Sequence, residues 1–162
     1  MFRQTVRAFT KVNRLAGVRT YAEAAEKAPA GTLKLSLALP HVTLFDNKSV
    51  AQVNIPATTG DMGVLANHVP TLEQLRPGVV EIFETPSSSV KYFISGGFAS
   101  VFPDSKIDIL SIEAHKLDEF DANAVKTQLA EAQKNAESTD EHAAAVASIE
   151  VEVLEALNAA LH

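Results

Sequence analysis

The chain has 162 residues, 46% of them apolar and 21% charged, with no cysteine and a formal net charge of −6. Without a thiol, neither a disulfide framework nor a cysteine-based metal centre is available, and no uncharged apolar run approaches the ~20 residues that span a bilayer. Five of the fourteen Lys and Arg precede residue 22, leaving nine against twenty acids; that balance makes residues 22–162 a poor candidate for nucleic-acid binding, which needs cations to neutralise phosphates.

Residues 1–21 carry Arg3, Arg7, Lys11, Arg14 and Arg19 and no acid, interleaved with Phe2, Val6, Phe9, Val12, Leu15 and Val18. A basic, acid-free, amphipathic start has the pattern of a mitochondrial transit peptide, and Arg19-Thr20-Tyr21 before Ala22 is similar to a matrix-processing site. The alternative is a retained basic arm on nucleic acid or a membrane, though such arms are usually richer in Lys. Residues 1–21 are therefore set aside as a transit peptide and 22–31 as an N-terminal extension.

Every Pro and Gly lies before residue 115, and alanine dominates after it. This predicts a β-domain over 32–114 and a helical domain over 115–162. In the first part Leu33, Leu35, Leu37 and Leu39 alternate with polar or small residues, the period of a half-buried strand. Val42–Phe45 and Val50–Ile55 read as further strands separated by an Asp46-Asn47-Lys48-Ser49 turn. The segment GDMGVLANHVPTLEQLRPG follows, punctuated by Gly60, Gly63, Pro70, Pro77 and Gly78 as structural turn positions. Strands are then expected at Val79–Phe83, Val90–Ile94, Phe98–Phe102 and Ile107–Ile112. The Ser95-Gly96-Gly97 break before Phe98 could form a phosphate nest. No Walker-type Lys-Ser/Thr follows it, however, and a tight β crossing accounts better for the glycine pair.

In the second part Asp121 can cap a helix with a narrow stripe of Ala122, Val125, Leu129, Ala132 and Ala136. Ser138-Thr139-Asp140 breaks it and can cap another, with Ala143, Val146, Ala147, Val153, Leu154, Leu157 and Leu161 on one face. Small alanine side chains permit close approach, predicting an antiparallel helical hairpin. Glu150 falls within the second stripe, either as an edge position facing water or as an ion-pair partner of Lys126 or Lys134.

The ordered set Gly-x-x-Gly, His-x-Pro, Pro-Gly and Ser-Gly-Gly, followed by an alanine-rich tail, resembles the small rotor-stalk subunits of F-type ATP synthases, called ε in bacteria and δ in mitochondria. The resemblance covers Leu33 to the end of the chain. It implies a β+α fold, an N-terminal β-sandwich of about ten strands followed by a C-terminal α-helical hairpin. It also implies a non-catalytic, cofactor-free body on the matrix side of the inner membrane that joins the γ subunit to the c-ring. The mitochondrial ε subunit would be a further partner, and no direct lipid insertion is implied. Carried over by position, Asp61, Met62 and His68 would touch the polar loops of the c-ring. Asp61 reads equally as a solvated turn residue, and His68 as a loop histidine bonded to nearby backbone.

Two departures from the bacterial pattern matter. Where many bacterial relatives have Ile/Leu-Asp-x-x-Arg-Ala at an ATP site, this chain has Leu117-Asp118-Glu119-Phe120-Asp121-Ala122. An aspartate in place of the arginine repels phosphate. From Asn135 onward there are six acids and no Lys or Arg, so a tail that inhibits by charge attraction is not expected, and the hairpin should stay folded.

No nucleophile–base–orienter set emerges. The histidines at 41, 68, 115, 142 and 162 have no metal-ligand spacing, and Ser87–Ser89 lack the flanks of a nucleophile elbow. Catalytic, cofactor and metal sites are therefore not expected, and only a His41/Asp46/His68 cluster would revive an enzyme. A free-standing matrix β-sandwich that binds ligands or acts as a chaperone is the rival reading.

Overall fold

The computed structural model describes residues 31–162. The expected transit peptide (1–21) and, apart from Gly31, the expected extension (22–31) lie outside the described residues. Ten strands come first: β1 (Leu33–Ala38), β2 (Thr43–Val50), β3 (Gln52–Ala57), β4 (Gly60–Leu65), β5 (Thr71–Leu75), β6 (Gly78–Thr85), β7 (Ser88–Ile94), β8 (Gly97–Phe102), β9 (Lys106–Ser111) and β10 (Ala114–Lys116). A single 3-10 turn over Leu117–Glu119 leads to α1 (Ala122–Ala136) and α2 (Glu141–Ala160). β10 straddles the expected boundary at 114/115.

All ten strands belong to one hydrogen-bonded sheet in the order β10-β7-β6-β3-β5-β8-β9-β1-β2, with β4 attached to β3 alone. Only β1 and β9 run parallel. The sheet folds over so that alternate residues meet inside, as the period-2 pattern requires. Leu33, Leu35, Leu37, Val53, Ile55, Ile82, Ile107 and Ile109 are fully or almost fully buried in this core. Side chains close the seam between the folded halves: Lys48 on β2 meets Glu84 on β6 at 2.6 Å. Beside it the Phe45 ring lies edge-on to Tyr92 at 5.8 Å.

Three features differ from the sequence reading. Asp46–Ser49 is not a turn between strands but the middle of β2. Register slips between Leu35↔Lys48 and Leu37↔Phe45, and Asn47 takes the positive φ of 47°. A bulge uses the same left-handed, Asn-tolerant backbone as a turn, so the residue types looked alike. Asp61-Met62-Gly63, read as an exposed turn, belongs to β4, paired with Pro56, Ile55 and Asn54 of β3. Gly63 is thus a strand residue, Gly78 and Gly97 open β6 and β8, and Pro70 leads into β5 outside any turn. Gly60 likewise opens β4, and only Pro70, Pro77 and Gly96 of these positions lie between strands.

Two glycines are required by close approach. A Cβ on Gly97, whose φ is +149°, would lie 2.1 Å from the Leu110 carbonyl oxygen, and one on Gly78 would lie 2.9 Å from Pro56 Cβ. The tight crossing expected at the glycine pair is therefore what the backbone makes there.

The helices begin where their caps are. Asp121 Oδ1 accepts from the Asn123 and Ala124 amides, and Asp140 Oδ1 accepts from those of His142 and Ala143. At 15 and 20 residues the helices are ~22 and ~30 Å long. The hairpin sits on the outer face of β6 and β7, where Val79 and Phe93 meet Phe120, Val125, Val153 and Leu157. That cluster takes α2 residues only from Val153 onward. Ala143 and Val146, expected on the buried stripe, are instead exposed because the first turns of α2 touch only α1. Glu150 faces water, and among the described residues it forms no ion pair with Lys126 or Lys134.

Candidate functional site

β3 and β4 form a hairpin whose turn, Thr58-Thr59, lies at one end of the sandwich. The junction of β5 with β6 and the glycine pair between β7 and β8 lie at the same end, as the registers Ala57↔Leu75, Gly78↔Ile94 and Leu75↔Gly97 place them. β3 makes this clustering possible. It pairs with β6 through Gln52–Asn54 and then with β5 at Ala57. The switch falls at Pro56, which has no amide to donate; its carbonyl instead accepts from the Arg76 amide at 3.0 Å.

Asp61 is the cross-strand neighbour of Pro56 on β4. Its carboxylate is three-quarters exposed, and Oδ1 accepts from Arg76 Nη2 at 2.6 Å. Arg76, the one arginine among the described residues, thus reaches from the end of β5 past Pro56 to β4. β5 holds the hairpin turn twice more: the Thr58 amide donates to the Gln74 carbonyl at 2.9 Å, and the Thr59 hydroxyl donates to Glu73 at 3.1 Å. Met62 follows Asp61, half-buried against the core.

His68 is elsewhere. Five rises of ~3.3 Å along β4 carry the chain ~17 Å from Gly60 to Leu65, and His68 follows at the far end. There the Asn67 amide donates to Ser105 Oγ at 2.9 Å, tying the loop to the β8–β9 turn. The His68 ring bonds through Nδ1 to the Val69 carbonyl at 2.8 Å. Asp61 and Met62 are therefore brought together and His68 is separated from both. His41, in the loop between β1 and β2, lies at the Asp61 end, so His41, Asp46 and His68 are not assembled. Among the described residues no group of three His, Cys, Asp or Glu is placed to hold a metal ion.

A second feature was not foreseen. On the outward side Phe98 of β8 pairs with Leu110 of β9, exposed by 55% and 60%, and Ile112 follows at 75%, while Leu72 of β5, 71% exposed, lies one outward position further along, level with Ser100. Opposite Phe98, Leu110 and Ile112, α2 presents Ile149, 65% exposed, across an open groove of about 540 Å³ that Arg76 also lines. Clustered exposed apolar residues of this kind are typical of docking surfaces. In sequence it was hidden, because Phe98 and Leu110 alternate with inward residues and read as ordinary strand hydrophobics, and Leu72 fell in a segment where no strand was expected. At the junction of the two parts, Asp121 stands where the bacterial pattern has arginine, and its carboxylate is engaged in capping α1.

Residues 32–116 match the family described as the ATP synthase Delta/Epsilon chain β-sandwich domain, and residues 120–159 match the fungal epsilon subunit of F1F0-ATP synthase C-terminal domain. The mitochondrial ATP synthase subunit delta of Pichia angusta is 56% identical over the whole of both chains. That of Saccharomyces cerevisiae is 56% identical over 88% of each, and that of Schizosaccharomyces pombe 42% over 90% of this chain and 86% of its own. Among solved structures, a chain of the Euglena gracilis mitochondrial ATP synthase, determined by cryo-EM as OSCP/F1/c-ring, superposes with a TM-score of 0.79 at 32% identity, covering 99% of this chain and 91% of that one. A Tetrahymena thermophila central stalk/c-ring chain shares the fold at a TM-score of 0.57 and 12% identity. With both halves matched in order and relatives alike over their full length, the chain belongs to the δ/ε subunit family of F-type ATP synthases.

Proposed function

We propose that this chain is a non-catalytic central-stalk subunit of the mitochondrial ATP synthase, peripheral on the matrix side of the inner membrane. It joins the γ subunit to the c-ring and passes rotation between them. The observation that carries this reading is the match over essentially the whole chain to mitochondrial subunit delta sequences. The same match argues against a free-standing matrix module, because it leaves no region unaccounted for.

Physical magnitudes favour the same role. A charge crossing 100 mV releases ~2.3 kcal/mol, while an isolated surface ion pair holds by ~0–1 kcal/mol. Torque therefore has to pass through broad packed contact. The outward face with Leu72, Phe98 and Leu110 supplies apolar area, and the folded sheet behind it supplies a stiff, close-packed backing. The Asp61–Met62 end is our candidate for the c-ring. The separation of His68, its ring bonded to Val69, leaves it a weaker candidate for the same contact.

The test is depletion of the chain from mitochondria, followed by parallel measurement of ATP hydrolysis and ATP-driven proton pumping in inner-membrane vesicles. Pumping should fall several-fold relative to hydrolysis. Full coupling without the chain, or its migration as a free monomer on native gels, overturns the proposal.

A further inference from the structure

Asp61 is exposed at the corner of β4, the one strand that pairs with a single neighbour outside the main path of the sheet. A carboxylate there would normally sample several rotamers, and ordering it on contact would weaken any docking it takes part in. Arg76 restricts that freedom. Its backbone is fixed on β3 by the 3.0 Å bond to the Pro56 carbonyl. It is followed by Pro77 and by Gly78, which packs on Pro56. From this anchored position the guanidinium takes one carboxylate oxygen, Oδ1, at 2.6 Å. A planar guanidinium with several fixed donors holds a carboxylate in one orientation better than a lysine ammonium can.

We infer that Arg76 is a positioning residue: it biases the Asp61 carboxylate towards one orientation at this end of the sandwich, holding Oδ1 and leaving Oδ2 for a partner that carries cationic or amide side chains. The pair is too exposed to contribute much to folding, since such pairs are worth ~0–1 kcal/mol. Its effect lies in how a contact residue is presented. The inference rests on the reading of the Asp61 end as the ring-facing end, and its test separates the two.

Full-length variants carrying Asp61→Asn, Arg76→Ala, both together, Arg76→Lys, or the exchange Asp61→Arg with Arg76→Asp would replace the native subunit in the assembled complex. The readout is the salt concentration at which the membrane-embedded ring releases the stalk, with thermal melting of each full-length chain as a folding check. Asp61→Asn and Arg76→Ala should each weaken retention about two- to five-fold. The double variant should be no weaker than either single one, and Arg76→Lys should recover part of the loss. The exchanged pair restores a staple but not a carboxylate at position 61, so retention should stay low. If Asp61→Asn has no effect, the ring-facing assignment itself falls. If Asp61→Asn matters while Arg76→Ala is silent or strictly additive, only the positioning role falls. Recovery by the exchanged pair would reduce Arg76 to a structural tie and also overturn the inference.

Discussion

The sandwich and the hairpin are stabilised differently. In the sandwich, residues from all ten strands meet in a core whose largest members are fully buried. In the hairpin, the two helices bury only Val125, Ala132, Ala147 and Leu157 between them. The second cluster is completed by Val79 and Phe93 on the outside of the sheet. One part therefore closes on itself, and the other borrows a surface. This fits the general weakness of short helices without tertiary packing. The hairpin's position is thus a property of the sandwich face as much as of the helices.

The comparison breaks most sharply if the sandwich is weakened. Ile109→Ala should cost about 2–5 kcal/mol, as deletion from a fully packed core does. Chemical denaturation followed by circular dichroism should show helix and sheet lost together. Helical signal persisting after the sheet unfolds would mean that the hairpin stands alone. A smaller and local effect is expected at Phe120, whose ring meets Phe93 and His115 edge-on, each at 6.0 Å. Phe120→Ala should cost about 1–2 kcal/mol there, the ring being only partly buried. Amide exchange in α1 and α2 should quicken about tenfold while β1 and β9 stay protected; equal quickening in β9 would contradict the borrowed-surface account. The smallest effect belongs to Asp140. Asp140→Ala should remove about 1 kcal/mol of capping, visible as fraying of the first turn of α2 with docking at Phe93 intact.

The same contrast decides what could be read in advance. The leucine alternation of β1 and the two aspartate caps are local signals, and the structure places those elements within a residue of where the pattern does. β4 and β5 were not resolved as strands. β4 buries only Val64 fully, and its two glycines resemble punctuation, because an edge strand needs little of the apolar alternation that marks a buried one. The Asp61–Arg76 pair joins residues fifteen apart across an intervening strand, and no periodicity points to such a partner. Asp46–Ser49 was misread because bulge and turn draw on the same residues.

The ends of the sheet carry a consequence for the lone molecule. Exposed strand borders invite a second copy to add on, and a subunit waiting for its neighbours is at risk of such stacking. Here β2 is bent by a bulge at Asn47 and bears Asp46 and Lys48, β10 is only three residues long, and β4 opens with Gly60 and Asp61. Each border is spoiled for self-addition by a different device. Before assembly, these features work against strand-by-strand stacking of the chain with its own kind.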